Sequence, residues 1–387
     1  MPRPGVKRRG RGDGSIYPLK DGRWMSYLRM PDGRKKFFTG PNSDVVKKRL
    51  KAAQEAATAG QLILGRDQPV ATYLERWLND AARPSIRVKT YEDYDLCVRR
   101  VTPHIGRIRL RALTPEHIQE ALGALSRRGL APRTVRQVHM VLRRALKQAV
   151  LWRVLATNPS DAVRPPRAAR IEHRVLNEEE MRRLLEAMQG SRQYALFVLL
   201  ATTGCRIGEA LGLRWTDVDF RRSTASIRRA LQVQRGIGIA FVEPKSARSR
   251  RTLPLPPETL IALEMHREIQ DRDRSKARDL WTETGLIFTT PTGGPRNPHN
   301  LIEPFGIALK RAGLPHVRIH DMRHSAATHL LTKGVHPKVV QDLLGHSTIA
   351  ITLDTYSHVL PSLAKEASGH MSSLIPSTAA LSDSSRS

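Results

Sequence analysis

The spacing of apolar and polar positions changes along the 387-residue chain and divides it into segments. In the first segment, strand-like runs at residues 14–17, 23–30 and 34–39 meet at the turn dipeptides Asp21-Gly22 and Asp32-Gly33, which favour tight hairpins. A helix follows, with Ser43 as its expected N-cap and Gly60 at its end. The pattern predicts a small three-stranded sheet with one helix, which we assign to a first domain at residues 1–65.

The second segment, residues 69–165, has helical spacing throughout. Thr114-Pro115 provides an N-cap followed by proline at the first helical position, and opens a helix that Gly129 closes. Between residues 133 and 152 one helix face is basic and the other is apolar. The apolar face consists of Val135, Val138, Leu142, Leu146 and Ala149. This pattern predicts an all-α bundle of four helices.

A basic, proline-containing linker leads to the third segment, residues 175–372. Asn177 and Glu180 can form a capping box, and the apolar run at 194–201 predicts a buried helix. Strands are expected at 225–234, 239–243 and 286–288, and helices at 257–278, 298–312, 319–333 and 337–345, with another after Ser347. In the helix that Pro337 opens, a buried stripe is expected from Val339, Val340, Leu343 and Leu344. Residues 374–387 are rich in Ser and Ala and are expected to be disordered.

Together these segments predict an α+β multidomain protein. A small three-stranded sheet with a helix comes first, an all-α helical bundle second, and a mainly α domain with a small antiparallel sheet third. The length of the chain also fits two or three domains rather than a single core.

The charge balance narrows the function, because 65 Lys and Arg residues against 36 Asp and Glu residues leave a formal net charge of +29. A protein this basic concentrates on polyanions, usually nucleic acid, although a basic surface can also serve solubility. Two cysteines indicate no disulfide framework, and the basic N-terminus lacks the apolar core of a secretion signal. The apolar run at 194–201 is too short to span a bilayer. We therefore expect a cytoplasmic, nucleoid-associated protein with no membrane partner.

Basic residues on the predicted faces are candidates for DNA contacts. Arg29, Arg34 and Lys35 lie on the second and third strands, where a sheet face can enter a DNA groove. Arg133, Arg136 and Arg143 lie on the basic helix face, where contacts to phosphates are more typical than contacts to bases. In both places the alternative is a solvated basic face.

The candidate chemistry is concentrated after residue 203, where arginines, histidines, a lysine and a tyrosine recur. Arginine's planar fork suits the non-bridging oxygens of a phosphodiester, and two arginines can neutralise a pentacoordinate transition state. Lysine or histidine can protonate a departing oxygen, and a tyrosine phenol becomes a nucleophile when a neighbour accepts its proton. His320 and Arg323 share a helix face because they are three residues apart. The sequence contains neither the clustered carboxylates of a metal hydrolase nor a Walker-type glycine loop.

Five motifs, in their order and spacing, resemble the tyrosine recombinase family, specifically the three-domain integrases of phages and mobile elements. They are Thr203-Gly204-Cys205-Arg206-Ile207-Gly208-Glu209-Ala210-Leu211, Pro244-Lys245-Ser246, His320-Asp321-Met322-Arg323-His324, Leu343-Leu344-Gly345-His346-Ser347 and Thr355-Tyr356-Ser357-His358. The resemblance implies that Arg206 and Arg323 bind the scissile phosphate. It also implies that Lys245 is the general acid on the 5′ leaving oxygen.

The same resemblance assigns the remaining site residues. His320 would assist proton transfer, His346 would hydrogen-bond the phosphate, and Tyr356 would attack it. Glu209 matches an acidic residue that supports the architecture of the site. The implied product is a phosphotyrosyl ester, which stores the energy of the broken bond, so no metal, ATP or other cofactor is expected.

The resemblance also implies an assembly. Residues 1–65 would be an arm-type DNA-binding domain, residues 69–165 a helical, SAM-like core-binding domain, and residues 175–372 the catalytic domain. A homotetramer would hold two double-stranded attachment sites and exchange strands through a Holliday junction. The segment from Pro361 to Ile375 would pack against a neighbouring protomer. A host DNA-bending protein and an excision factor are possible further partners.

Several alternative functions share part of this pattern. A recombinase for inversion or chromosome-dimer resolution uses the same chemistry, but the extra N-terminal module argues against it. A type IB topoisomerase, or a nuclease that fails to religate, would also use a tyrosine. A non-catalytic architectural DNA-binding protein or repressor would keep the fold without the activity, which the complete set of six residues disfavours.

Overall fold

The computed structural model describes residues 16–29, 35–58, 67–167, 174–243, 250–345 and 348–349. The chain divides into two compact units, residues 1–170 and residues 171–387. No helix in these described ranges is long and apolar enough to cross a membrane.

The first unit begins with an antiparallel sheet. Its strands are β1 (Ile16–Pro18), β2 (Trp24–Arg29) and β3 (Lys35–Gly40), in the order β1-β2-β3. The hairpin between β1 and β2 forms where it was predicted: Gly22 has a left-handed φ of 81°, and Asp21 accepts a hydrogen bond from the backbone N–H of Arg23 at 3.1 Å. The predicted three-stranded sheet is therefore confirmed.

Helix α1 (Ser43–Thr58) follows the sheet, and Val46 and Leu50 on it are buried. The N-cap expected at Ser43 is wrong by one residue. The side chain of Asn42 accepts a hydrogen bond from the N–H of Val45 at 3.0 Å, so Asn42 caps the helix and Ser43 is its first residue. Asparagine and serine cap helices about equally well, and the sequence placed them side by side.

The rest of the first unit is a bundle of four α-helices, as predicted. They are α2 (Val70–Trp77), continued by one π-helical turn (Leu78–Ala82), α3 (Val88–Ile105), α4 (Pro115–Arg127) and α5 (Pro132–Leu151). Thr114 caps α4, and Gly129 beyond its end has a φ of 82°. The five apolar positions predicted to form the inner face of α5 are all buried.

The second unit combines seven helices with short strands in its described part. The helices are α6 (Glu178–Glu186), α7 (Tyr194–Thr203), α8 (Ile207–Leu211), α9 (Pro257–Ala277), α10 (Ile302–Arg311), α11 (Ile319–Thr332) and α12 (Pro337–Leu344). The strands are β4 (Val218–Asp219), β5 (Thr224–Ile227), β6 (Ala230–Gln234), β7 (Gly238–Val242) and β8 (Arg251–Pro254). They form one sheet of order β4-β5-β8 and a separate β6-β7 hairpin. The buried helix α7 contacts both α9 and α11.

The prediction of one continuous strand at 225–234 is wrong. The strand is interrupted at Arg228 and Arg229, and the segments before and after them, β5 and β6, belong to different sheets. Arg229 donates hydrogen bonds to the buried carboxylate of Asp217 at 2.5 Å and to the carbonyl of Gly212 at 3.3 Å. Arg228 forms an ion pair with the same carboxylate at 3.6 Å. The strand is thus interrupted because the buried carboxylate of Asp217 requires hydrogen bonds and positive charge, which these two arginines supply.

Two further expectations also need correction. Residues 286–288 are buried but form no strand: the carbonyl of Ile287 accepts hydrogen bonds from His266 and Gln270 on α9, where a strand would offer it to a neighbouring strand. In α12, Val340 and Leu344 are buried as predicted, but Val339 is 49% exposed. The buried stripe is therefore narrower than the run of apolar residues.

Candidate active site

The turn between α7 and α8 determines the position of Arg206. Gly204 in this turn has a left-handed φ of 61°. A Cβ atom on Gly204 would lie 2.7 Å from Cδ2 of Leu344 and 3.4 Å from Cβ of Ala326, so glycine allows the turn to pack against α11 and α12. The chain then enters α8 at Ile207, with Arg206 as the N-cap residue.

Glu209 orients Arg206. One carboxylate oxygen of Glu209 accepts the backbone N–H of Arg206 at 3.0 Å, and the other accepts its Nη1 at 2.8 Å. Burial alone would raise the pKa of Glu209, but the hydrogen bond and charge of Arg251, together with Arg206, outweigh it and lower the pKa below its ordinary value. Glu209 is therefore an anion, 5% exposed, beneath an arginine side chain that is 41% exposed and can reach a ligand.

Arg323 lies on α11 and is buried. Its Nη1 donates to the carbonyl of Gly204 at 2.9 Å, and its Nη2 donates to the carbonyl of Leu344 at 2.8 Å. The first bond connects α11 to the turn that carries Arg206. The second connects it to the last residue of α12. Charged hydrogen bonds to backbone carbonyls offset the cost of burying this guanidinium.

His320 lies one turn before Arg323 on α11, as the three-residue spacing predicted. Its imidazole stays accessible to solvent, and its ring centroid lies 5.2 Å from that of His324. Partial removal of the imidazole from water lowers the pKa of His320, and the positive charges of Arg323 and Arg206 lower it further. His320 is therefore mainly neutral at pH 7 and can accept a proton.

The start of α11 repeats the arrangement seen at the start of α8. The buried carboxylate of Asp321 accepts the backbone N–H of Arg318 at 2.9 Å and its Nη2 at 2.8 Å. In both helices an acidic residue at the third helical position binds the arginine that precedes the helix. These carboxylates fix the two helix starts on which Arg206 and His320 lie.

Arg206, His320 and Arg323 thus come together, because Arg323 binds the carbonyl of Gly204, two residues before Arg206, and His320 lies one turn before Arg323 on α11. The other three predicted catalytic residues, Lys245, His346 and Tyr356, lie outside the described residues, as does the helix expected after Ser347. The structure describes Glu243 and Arg250 on the two sides of the segment that contains Lys245, and Gly345 immediately before His346.

Arg251 is a residue of this site that the sequence reasoning missed. Its side chain is 7% exposed and donates from Nη2 to Glu209 at 2.8 Å and from Nε to the carbonyl of Leu343 at 2.6 Å. The strand alternation contained a signal for it. Arg251 lies two residues before the buried Leu253, so both side chains belong to the inner face of β8.

The predicted DNA-contacting residues of the sheet lie in the first unit. Arg29 and Lys35 are cross-strand partners and exposed, while Arg34 is outside the described residues. Tyr27 and Phe37 form the next pair on the same face, and Nζ of Lys35 lies 4.5 Å from the centroid of the Tyr27 ring. The sheet therefore presents a face that combines cations with aromatic rings.

On α5, Arg133 and Arg136 are exposed. Arg143 is exposed as well, but its Nε donates to the carboxylate of Asp161 at 2.6 Å. Part of the predicted basic face is therefore already engaged by an acidic side chain of the same unit.

Family models match two parts of the chain. Residues 174–362 match the phage integrase family, and residues 70–126 match the N-terminal SAM-like domain of phage integrases. The matches fall on the second unit and on the helical bundle of the first.

Named relatives agree with the family models. A XerC-like tyrosine recombinase from Caldanaerobacter subterraneus is 30% identical over 76% of this chain and 81% of its own length. An integrase from Saccharopolyspora erythraea is 26% identical over 93% of this chain and 96% of its own. A putative prophage phiRv2 integrase from Mycobacterium tuberculosis is 27% identical over 95% and 97%.

Solved structures show a similar fold. The Tn1549 transposon integrase in complex with transposon right end DNA aligns with a TM-score of 0.66 at 22% identity, over 75% of this chain and 95% of that one. A lambda integrase tetramer bound to a Holliday junction aligns with a TM-score of 0.52 at 18% identity, over 86% and 95%. The predicted fold class is thereby confirmed. From its motifs, its family matches and its relatives, this chain belongs to the tyrosine recombinase family of site-specific DNA recombinases.

Proposed function

We propose that this protein is the integrase of a phage or other mobile element, which cuts and rejoins DNA through a 3′-phosphotyrosyl intermediate and a Holliday junction. The observation that carries the proposal is the cluster around the start of α11. There a buried arginine, Arg323, connects the turn of a second arginine, Arg206, to the end of α12, beside the neutral His320. Such a cluster suits a phosphodiester, whose anionic oxygens match the guanidinium forks.

In the proposed reaction, Arg206 and Arg323 bind the scissile phosphate and His346 donates a hydrogen bond to it. The Oη atom of Tyr356 forms a bond to phosphorus while the bond to the 5′ oxygen breaks. Lys245 gives a proton to that departing oxygen. Attack by the 5′ hydroxyl of another strand reverses the step and rejoins the DNA, so the energy of the first bond is conserved.

The geometry of the described residues supports these roles. The neutral state of His320 suits acceptance of a proton from the attacking phenol. Because Glu209 is an anion that binds Arg206, it keeps that guanidinium in one orientation before any DNA is present. Preorganised charge of this kind stabilises a transition state without reorganisation during the reaction.

We assign the DNA contacts outside the site by charge and exposure. The sheet face of residues 1–65, with Arg29 and Lys35, would bind arm-type DNA, and Arg34 would belong to the same contact. Arg133 and Arg136 on α5 of the core-binding domain, residues 69–165, would bind backbone phosphates. Arg143 would join them if a phosphate displaced Asp161.

The working assembly is proposed from the solved relatives. The lambda integrase forms a tetramer on a Holliday junction, and we propose that four copies of this chain hold two double-stranded attachment sites in the same way. A host DNA-bending protein and an excision factor would bind the same DNA. Such a complex would act at the nucleoid in the cytoplasm.

Integration of a mobile element is favoured over chromosome-dimer resolution by the extent of the matches. The integrases from Saccharopolyspora erythraea and Mycobacterium tuberculosis match 93% and 95% of this chain, whereas the XerC-like relative matches 76%. Matches of this length extend into the N-terminal sheet module, which a resolvase of two domains would lack.

The test is covalent trapping on a nicked substrate, because a nick close to the scissile phosphate lets the short fragment that carries the new 5′ hydroxyl diffuse away and leaves the protein attached to the 3′ phosphate. The substrates would be a set of overlapping duplexes that together cover the DNA flanking the gene. We expect a denaturation-resistant adduct that maps to Tyr356 and is absent from the Tyr356→Phe variant.

Two results would count against the proposal. Specific binding to one duplex without an adduct would favour a non-catalytic architectural protein. Relaxation of supercoiled plasmids with no preferred site would favour a topoisomerase. Recombination between two mapped sites in a plasmid then distinguishes integration from inversion by the product sizes.

A further inference from the structure

Two buried arginines bind the C-terminal end of α12. Arg323 donates to the carbonyl of Leu344 at 2.8 Å, and Arg251 donates to the carbonyl of Leu343 at 2.6 Å. The last carbonyls of an α-helix have no partner inside the helix, and they carry the negative end of its dipole. Two cations at this end therefore stabilise the position of the chain immediately before His346.

Arg251 also reaches the opposite side of the site. Its Nη2 lies 2.8 Å from Glu209, the carboxylate that binds Arg206. A single guanidinium thus connects the anion behind one predicted phosphate ligand, Arg206, with the helix end that precedes another, His346. Arg251 also opens β8, six residues after Lys245 in the chain.

The surroundings of Arg251 are built to hold an arginine in this one orientation. Gly345 has a left-handed φ of 68°, and a Cβ atom there would lie 2.9 Å from Nη1 of Arg251. On the strand side, Arg251 is fixed by its pairing with Ile227 in β5. The flat guanidinium fills the space that a side chain at position 345 would occupy.

We infer that Arg251 is a positioning residue of the recombination reaction: by binding Glu209 and the end of α12 together, it holds the guanidinium of Arg206 in the orientation that binds the phosphate. The inference rests on the proposed role of Arg206. Arginine is required because its planar fork donates in several directions at once, to Glu209 and to Leu343. The single ammonium of a lysine cannot make both contacts in the same geometry.

The test compares cleavage of two substrates by Arg251→Lys. One carries the normal scissile phosphodiester, and the other carries a methylphosphonate, in which a neutral methyl group replaces a charged oxygen. If Arg251 acts through Arg206, its loss matters only when there is charge to neutralise. Cleavage of the phosphodiester should slow roughly a hundredfold, because misplacement by about 1 Å can cost that much.

On the methylphosphonate we expect the loss to shrink to roughly threefold, with the Kd for DNA within roughly threefold of the unaltered protein on both substrates. Arg251→Met, which keeps much of the side chain's volume but donates no hydrogen bond, should show the same substrate dependence at a larger total loss. Thermal melting and the Kd report whether either variant is folded.

Arg229→Met is the matched control. Arg229 also binds a buried carboxylate and a backbone carbonyl, those of Asp217 and Gly212, but within the described part of the chain it has no bond to Arg206, His320 or Arg323. This variant should lower the melting temperature while the cleavage rate per folded molecule stays within roughly threefold on both substrates.

The inference fails if Arg251→Lys cleaves the phosphodiester at the normal rate, or if it loses equal factors on both substrates, as a general defect of the fold would produce. These outcomes differ from a failure of the proposed function. In that case the unaltered protein would form no adduct with any duplex, and the inference would fall with it.

Discussion

The side chain of Arg323 donates a hydrogen bond to the backbone carbonyl of Gly204 over 2.9 Å, and Gly204 lies two residues before Arg206. The two arginines proposed to bind one phosphate are therefore connected by a short stretch of backbone. A displacement of either α11 or the α7–α8 turn would move both. This connection makes the effects of single substitutions predictable.

Arg206→Ala should abolish strand cleavage while leaving DNA binding nearly intact. Its guanidinium is partly exposed, so its removal should change the free energy of unfolding by less than about 1 kcal/mol. Loss of one charge-stabilising donor should reduce the rate of adduct formation by about a hundredfold or more. Adduct formation and a gel-shift assay measure the two effects, and equal losses of binding and cleavage would contradict the assigned role.

Arg323→Ala should abolish cleavage and destabilise the fold as well. It leaves the carbonyls of Gly204 and Leu344 without this donor in a buried site, at a cost of about 1–3 kcal/mol. Chemical denaturation of the second unit would measure the loss. A variant as stable as the unaltered protein would show that these bonds contribute nothing to the fold.

Gly204→Ala should destabilise the protein more than Gly334→Ala does. Both glycines have a left-handed φ, 61° and 78°, so both substitutions introduce backbone strain of about 1 kcal/mol. At Gly334 nothing lies within 4 Å of the added Cβ, whereas at Gly204 it would lie 2.7 Å from Leu344. The difference between the melting temperatures isolates the steric term, and shortening Leu344 to alanine should relieve part of it. Equal losses would mean that the turn has room to shift.

Acidification should destabilise the second unit through His266. Burial, together with the positive charges of Arg192 and Arg296, outweighs the hydrogen bond to Ile287 and lowers the pKa of His266 to about 4. Between about pH 6.5 and pH 4 the unfolded chain binds a proton that the folded chain does not. The free energy of unfolding should therefore decrease as the pH is lowered through this window, by up to about 3 kcal/mol.

The control for this prediction is His266→Gln, which can still donate to the carbonyl of Ile287 but does not titrate. Denaturation measured at several pH values should give a smaller slope for this variant than for the unaltered protein. Identical slopes would place the pH dependence elsewhere.

Removal of residues 1–65 should spare cleavage of a core site and impair complete integration. The predicted catalytic residues all lie after residue 203, whereas the exposed face with Arg29 and Lys35 lies in the deleted part. A trapping assay and a two-plasmid integration assay would separate the activities. Complete integration by the truncated protein would refute the proposed arm-binding role.

Local signals in the chain were sufficient for most of the elements. Thr114-Pro115, the Asn177 and Glu180 pair, and the glycines that end helices act over three or four residues, so they can be identified without tertiary structure. The same holds for the order of the five motifs, which predicted the family. One error occurred where two local solutions were equally good, at Asn42 and Ser43, and the two wrong strand predictions occurred where tertiary contacts decide the structure.

The sequence by itself determined the set of helices, the residue types of the site and the family to which the chain belongs. Short-range patterns specify the helices, and the motifs, with their order along the chain, specify the site residues and the family. Only the tertiary structure decided that Arg251 joins Glu209 to the end of α12, and that Ile287 gives its carbonyl to α9 rather than to a strand. These are contacts between residues at least 17 positions apart. Their partners depend on how helices and strands pack, and on the need of every buried polar group for a hydrogen bond.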